Sequence, residues 1–378
     1  MKNQPDIKKR TLGVTFSTDH QADVTLWNPL AKKVELSIRG RSISIPLVND
    51  RSGYWHLETD QLKPGDLYTF TLDDEKICAD PASLVQPQGA YGPSQAVDTN
   101  KFYWEDSCWV NPPLDEYVIY ELDMSTFSPE GTFDAVVKKL GELKSLGINA
   151  LLIKSVSSFP GSPNELFIYA VQASYGSPYQ LQRLINACHF EGMAVILDVN
   201  YAKIGRQNDQ LKAFRSGKQK AERNGSNGTN DEHGEAGRRY LIENALMWFR
   251  DFHIDALRLE AIYALPDAEE ILTDIRTYTN QLTALTGNHH CLLVEHEPQN
   301  ESVTEKTATP NAEREGPFEP VSTTERYDSY CSDYQPSKLS IKTYREDYLY
   351  DDHFSSVLRE LFGRQAEPDE SRGLLRSF

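Results

Sequence analysis

Two acids stand directly after short strand-like runs: Glu260 follows Ile254–Leu259, and Glu295 follows Cys291–Val294. If those runs are consecutive strands of one parallel sheet, their ends lie about 4.8 Å apart. That is close to the roughly 5–5.5 Å that separates the two carboxyl groups of a retaining glycoside hydrolase. One acid would protonate the departing oxygen while the other faces the anomeric carbon. Arg258 precedes Glu260 by two residues, so both fall on one face, where a guanidinium keeps a carboxylate ionised. Asp198, one strand earlier, would fix the substrate or the Arg258 fork. A plainer reading stays open beside this one, because acids at strand ends also cap loops or pair with Arg and Lys.

His289, His290 and His296 gather around Glu295 and Glu297, a composition that invites a metal. Strand alternation sets His296 on the face opposite Glu295, and no HExxH spacing occurs, so no metal is expected. Trp27, Trp55, Trp104, Trp109 and Trp248 would suit sugar stacking, but core positions are the expectation for one or more of them.

The elements that must carry these groups fall into two grammars. Residues 11 to about 105 hold short strands at Leu12–Phe16, Ala22–Trp27, Lys33–Ile38, Ser42–Leu47, Tyr54–Leu57 and Leu67–Leu72. Turn dipeptides such as Asn28-Pro29 and Pro64-Gly65 separate them, which indicates an antiparallel sandwich. From Tyr117–Leu122 onward, strands alternate with helices. Thr132 opens an apolar stripe through Phe133, Val136, Val137, Leu140, Leu143 and Leu146 that reads as one helix ending at Gly147. Ser177-Pro178 starts another that Gly192 closes, and the continuous run Met193–Val199 reads as a strand covered on both faces. Alternation of this kind predicts a parallel sheet, open or closed into a barrel. The strand ends carry Glu121, Asp123, Lys154, Asp198, Arg258, Glu260, Glu295 and Glu297, as a barrel enzyme's rim does.

Bulk properties narrow the partners. The 378 residues carry a formal net charge of -17, which repels a phosphate backbone, so nucleic acid is not expected. Basic residues at the start are followed by no apolar signal core, and no run long enough to span a membrane occurs. The cysteines Cys78, Cys108, Cys188, Cys291 and Cys331 are scattered, with neither a disulfide framework nor a zinc spacing, which points to a reducing cytoplasm. With no glycine-rich dinucleotide or phosphate-loop motif, no cofactor is expected.

Several blocks together resemble the α-amylase superfamily, glycoside hydrolase family 13, on its trehalohydrolase and glycogen-branching side, and in particular the maltooligosyltrehalose trehalohydrolases. They are Tyr120-Glu121-Leu122, Thr126-Phe127, Pro129–Phe133, Gln172–Gly176, Ile196–Val199, Asn244–Trp248 and Asp255–Leu259. The resemblance implies retaining cleavage of α-1,4-linked glucans or release of trehalose, with an immunoglobulin-like sandwich before a TIM-type (β/α) barrel. It places the nucleophile at Glu260, where the family has aspartate, and the acid/base at Glu295. Substrate contacts fall at Asp198, Tyr201, Arg258, Tyr263, His296 and Glu297. Ala202 and Lys203 replace the family's asparagine and histidine, the ring-stacking tyrosine aligns near Pro163, and the histidine–aspartate pair after strand seven has no counterpart.

The expected layout is a flexible N-terminus at 1–10, the sandwich at 11–105, and barrel strands one to five at 106–298. A disordered acidic segment at 299–335 and remaining barrel elements with a tail at 336–378 complete it, with a strand at Leu339–Thr343 and a helix at Asp351–Phe362. Six strands at most can be placed, so the barrel is expected to be incomplete, with open edges that a second copy or a protein partner covers. The departures at Glu260, Ala202 and Lys203 predict a silent or very weak hydrolase that binds α-glucan or maltooligosaccharide, or serves as a protein-interaction module. An active hydrolase and a scaffold without a glycan site are the alternatives.

Overall fold

The computed structural model describes residues 4–89, 92–158, 167–204, 232–265 and 267–296, together with the backbone of 326–330, 342–344 and 375–377; side chains at 232–233 and 295–296 are not described. Short β-branched and aromatic runs between turns build nine strands first. They are β1 (Gly13–Phe16), β2 (Ala22–Trp27), β3 (Val34–Ile38), β4 (Ser44–Pro46), β5 (Val48–Asn49), β6 (Tyr54–Thr59), β7 (Leu67–Leu72), β8 (Lys76–Cys78) and β9 (Ser94–Gln95). One sheet runs β1-β2-β6-β5 and the other β4-β3-β7-β8, with β9 paired to β7. Every pairing is antiparallel. Val24 and Trp55 from the first sheet meet Leu36 and Phe70 from the second in one buried cluster, so the sheets close on each other as a sandwich.

The second layer follows in chain order as β10 (Val118–Leu122), α1 (Met124–Phe127), α2 (Phe133–Val137), α3 (Leu140–Ser145) and β11 (Ala150–Ile153). Next come β12 (Ser157–Ser158), β13 (Phe167–Val171), α4 (Pro178–Glu191), β14 (Ala194–Asn200), α5 (Glu232–Phe252), β15 (Ala256–Glu260), α6 (Ala268–Thr286) and β16 (Cys291–His296). Strands β10, β11, β14, β15 and β16 are parallel neighbours. Two buried clusters divide their faces. Ile119, Ala150, Leu152, Ile196, Ala256 and Leu293 line one side, while Leu122, Leu151, Leu197, Leu259 and Val294 pack with the helices on the other. This is a partial (β/α) barrel with a dry inner face.

Three further strands, β17 (Arg326–Tyr330), β18 (Lys342–Tyr344) and β19 (Leu375–Ser377), extend the sheet to the order β18-β17-β16-β15-β14-β11-β10-β19. Strand β17 lies inside the stretch expected to be unstructured, and it pairs antiparallel with β16, as β19 does with β10. The edges expected to be open are therefore paired: unmet backbone groups on an edge strand are satisfied by any extended segment within reach. The helix expected at 351–362 lies outside the described residues. Among the described residues, no helix is long and apolar enough to cross a membrane.

Local signals explain the element ends. At α4, the Ser177 hydroxyl accepts from the Gln180 amide and the Gln180 side chain answers to the Ser177 amide, with Pro178 at the first position. Gly192 ends the helix at φ +79°, in the left-handed region that favours glycine. The stripe from Phe133 breaks into two helices at Lys138–Lys139, where the Lys139 amide bonds back only three residues to the Val136 carbonyl. Phe133, Val136, Leu140 and Leu143 nevertheless share the core. The break spares their burial.

The sandwich is joined to the barrel by apolar and polar contacts. Leu12, Trp27, Tyr54 and Leu84 belong to the same cluster as the barrel helices. The Tyr240 hydroxyl donates to the Pro81 carbonyl at 2.7 Å, and the Val171 amide donates to Leu84 at 2.9 Å. Buried Glu243 accepts from the Thr11 amide at 3.0 Å and stands 3.5 Å from Arg239. At the strands' N-terminal ends, His189 bridges Asp106 at 2.9 Å and Asp255 at 3.0 Å under the stacked Trp109 ring. Asp106 also binds His253 at 2.8 Å.

Candidate functional site

At the opposite, C-terminal ends of the strands, alternation decides what meets. Glu121 follows Ile119 by two residues, Lys154 follows Leu152, Asp198 and Asn200 follow Ile196, and Arg258 and Glu260 follow Ala256, so the apolar inner face gives way to a polar rim. Asp198 and Arg258 are in direct register, as are Asn200 and Glu260.

The contacts follow that register. The Arg258 guanidinium grips Asp198 with both prongs, Nε to Oδ1 at 3.1 Å and Nη2 to Oδ2 at 2.6 Å. Its Nη1 stands 3.7 Å from Glu121, whose other oxygen meets the Lys154 ammonium at 3.2 Å. The Asn200 amide donates to Glu260 at 3.0 Å, while its oxygen accepts from the Lys203 backbone at 3.1 Å. Charges thus alternate across the rim, from Lys154 to Glu121 to Arg258 to Asp198, with Glu260 alongside. Burial pushes the Asp198 carboxyl above its ordinary range; Arg258 opposes that rise, and Glu260 and Glu121 add to it. The bidentate fork is the geometry of a guanidinium gripping a carboxylate.

Backbone conformation marks the same spot. Ala261, directly after Glu260, sits at φ +52°, a left-handed conformation unusual for a residue with a Cβ, and it starts the 3-10 turn Ile262–Ala264. Tyr263, in that turn, is 37% exposed. The chain reverses sharply behind the acid.

Of the residues singled out by sequence, the structure brings Asp198, Arg258 and Glu260 together. Tyr201 goes elsewhere: its ring is buried, and its hydroxyl donates to Asn244 at 3.1 Å, beneath the rim rather than on it. Glu295 and His296 are described as strand positions only, opposite Tyr327 and Arg326 in the β16–β17 register. Glu295 keeps the parity of Cys291 and Leu293 in its strand. Glu297 lies outside the described residues, as does Pro163. Asp123 caps α1 by accepting from the Ser125 amide at 2.9 Å. Trp27, Trp55 and Trp248 are buried in the core. The sequence reading set Glu121 and Lys154 on the rim without giving them a role in the site, and it missed Asn200. The signal was available, since Glu121 and Lys154 lie two residues beyond the inward-facing Ile119 and Leu152, and Asn200 keeps the parity of Ile196 and Asp198.

Could the rim hold a metal? Among the described residues, no cluster of His, Cys, Asp and Glu has that arrangement. The rim acids are instead engaged by Arg258, Lys154 and Asn200. What the arrangement offers is a rigid array of charged and amide groups at the end of a dry barrel, suited to gripping hydroxyls.

Comparison with known proteins agrees with the blocks along the sequence. No family model matches the chain. It is 33% identical over 366 residues to malto-oligosyltrehalose trehalohydrolase of Saccharolobus solfataricus, a match covering 93% of this chain and 63% of that protein. The malto-oligosyltrehalose trehalohydrolase of Arthrobacter ramosus is 30% identical over 363 residues, covering 91% and 63%. The chain thus spans 63% of the length of both relatives. Among solved structures, a Salmonella typhimurium protein described as a candidate alpha amylase superposes with a TM-score of 0.64 at 28% identity, over 72% of this chain and 48% of that one. The pullulanase SAP of Group B Streptococcus, at 18% identity and a TM-score of 0.60 over 78% and 46%, shares the fold. By sequence, by barrel and by the order of its motifs, homology points to the α-amylase superfamily, glycoside hydrolase family 13, on the side of the malto-oligosyltrehalose trehalohydrolases.

Proposed function

We propose that the chain is an α-glucan-binding member of this family whose own hydrolytic activity is absent or very weak. The observation that carries the reading is Glu260. It stands where the family resemblance places a nucleophilic aspartate, it is one methylene longer, and Asn200 holds its carboxylate at 3.0 Å. A displacement of about 1 Å at the reacting atom costs roughly a hundredfold in rate. Ala202 and Lys203, in place of an asparagine and a histidine, remove two further groups that the resemblance assigns to the sugar. The preserved Asp198–Arg258 fork supports retention of glycan binding. In this reading the sandwich is the immunoglobulin-like domain of the family, the protein works in the cytoplasm, and the outer sheet strands are where a second copy or a protein partner docks.

A second reading has one observation in its favour. Asn200 and the left-handed turn at Ala261 orient Glu260 firmly, as a working nucleophile requires, with Glu295 as acid/base. Incubation with maltooligosaccharides and maltooligosyltrehalose, alongside titration calorimetry, separates the two. The proposal expects binding heat without released sugar. Sugar release that disappears in Glu260→Gln and Glu295→Gln overturns it in favour of the active hydrolase, and absence of any binding heat leaves the scaffold reading.

A further inference from the structure

Away from the barrel rim, a cavity of about 1110 Å³ opens where the sandwich meets the barrel helices. One wall is the outer face of the β1-β2-β6-β5 sheet. Thr25 and His56 are cross-strand partners there and bond at 3.1 Å, and Glu58 lies beside them opposite Asp23. The other wall is α6, which presents Asp274, Thr277, Tyr278 and Gln281, spaced three, four and seven residues apart and so on one helical face. The residues around Arg10 and Thr11 also line it.

Two features set this space apart from an ordinary seam between domains. Its walls are polar although the joint beside them is apolar, through Leu12, Trp27 and Tyr54. The sandwich wall is also held to the neighbouring α5, because Arg239 lies over the Tyr54 ring at 4.5 Å and Glu243 accepts from Thr11. Ligand-binding clefts of about 300–1,000 Å³ occur preferentially at domain interfaces.

We propose that this junction is a second binding site, for a neutral oligosaccharide a few sugar rings long. The inference goes beyond the rim site and depends on the proposed function only for the choice of sugar as probe. Charge decides against an anion: five lining carboxylates outnumber three cationic side chains. Of those three, Lys9 faces Asp23 at 3.4 Å and Arg239 faces Glu243 at 3.5 Å. Sugar hydroxyls both donate and accept, which matches facing rows of hydroxyl, imidazole, amide and carboxylate groups. Tyr278 adds an aromatic ring for the apolar face of a pyranose. A volume of about 1110 Å³ holds several rings.

Hydrogen exchange of the full chain, with and without maltohexaose, tests the junction and the rim separately. The inference expects at least twofold slower exchange in peptides covering 54–59 and 268–286. It also expects that protection to vanish in an Asp274→Ala/Gln281→Ala variant whose melting temperature is unchanged. Protection confined to peptides 194–200 and 256–260 overturns the junction site while leaving the rim reading intact. Protection at the junction alone upholds it and removes the rim reading instead. Protection by spermidine but not by maltohexaose overturns it in favour of a cation site.

Discussion

At the scale of single residues, the rim shows how one side chain can organise several others. Arg258 satisfies Asp198 with both prongs and approaches Glu121, and its side chain and that of Asp198 are 11% and 8% exposed. Removing one partner of a buried ion pair strands the other charge, at about 3–5 kcal/mol. Arg258→Ala is therefore expected to cost about 3 kcal/mol by urea denaturation and to abolish calorimetric glycan binding. Arg258→Lys restores only part of either, since an ammonium cannot form the two-pronged contact. An unchanged unfolding midpoint in Arg258→Ala would refute the organising role. Asp198, Arg258 and Glu260 were legible as a group because two-residue spacing and strand order fix their face. Tyr201 was not: the residue after a strand leaves its parity, and here the ring turns down toward Asn244.

At the scale of elements, the strands and helices with clear end signals fell where the spacing put them. The Ser177-Pro178 start and Gly192 stop bound α4, and the apolar run from Met193 became β14. Ser177→Ala is expected to cost about 1 kcal/mol in chemical denaturation, and Ser177→Asp to recover most of it. A loss below about 0.3 kcal/mol would show that packing, not the cap, sets this end. Three features were hidden for physical reasons. Strand β13 is a five-residue run buried throughout, a pattern that periodicity cannot tell from a buried helical segment. The break between α2 and α3 leaves the apolar stripe in place, so spacing alone cannot reveal it. Strand β17 escaped notice because an acidic stretch gives little sign that a neighbour's unpaired edge will recruit part of it.

At the scale of the whole molecule, buried imidazoles set the conditions under which the parts stay assembled. Burial opposes the charge on His189, but Asp255 and Asp106 outweigh it and raise the group from 6.5 to about 9. A raised folded-state value contributes fully below about pH 6.5, and that contribution disappears as pH climbs through about 9. Burial lowers His290 to about 4, so its contribution is whole above 6.5 and is lost as pH falls toward 4. Asp106, whose burial is outweighed by His189 and His253 so that it sits below the usual carboxylate range, adds a further loss only below about pH 4. Melting temperature from pH 4 to 9.5 should peak near 6.5, and His189→Gln should flatten the alkaline limb, which is worth on the order of 3 kcal/mol. A native profile still rising at pH 9 would contradict this. The layout from sequence divides the chain near residue 105, yet the interior ignores that line: Leu12, Trp27, Tyr54 and Leu84 share their oil with Tyr240 and Trp248. The modularity is therefore only skin-deep. A sandwich excised at that boundary would carry bare tryptophan and leucine into water, and a barrel left behind would show the matching scar, so neither half is a spare part that could be grafted elsewhere unchanged.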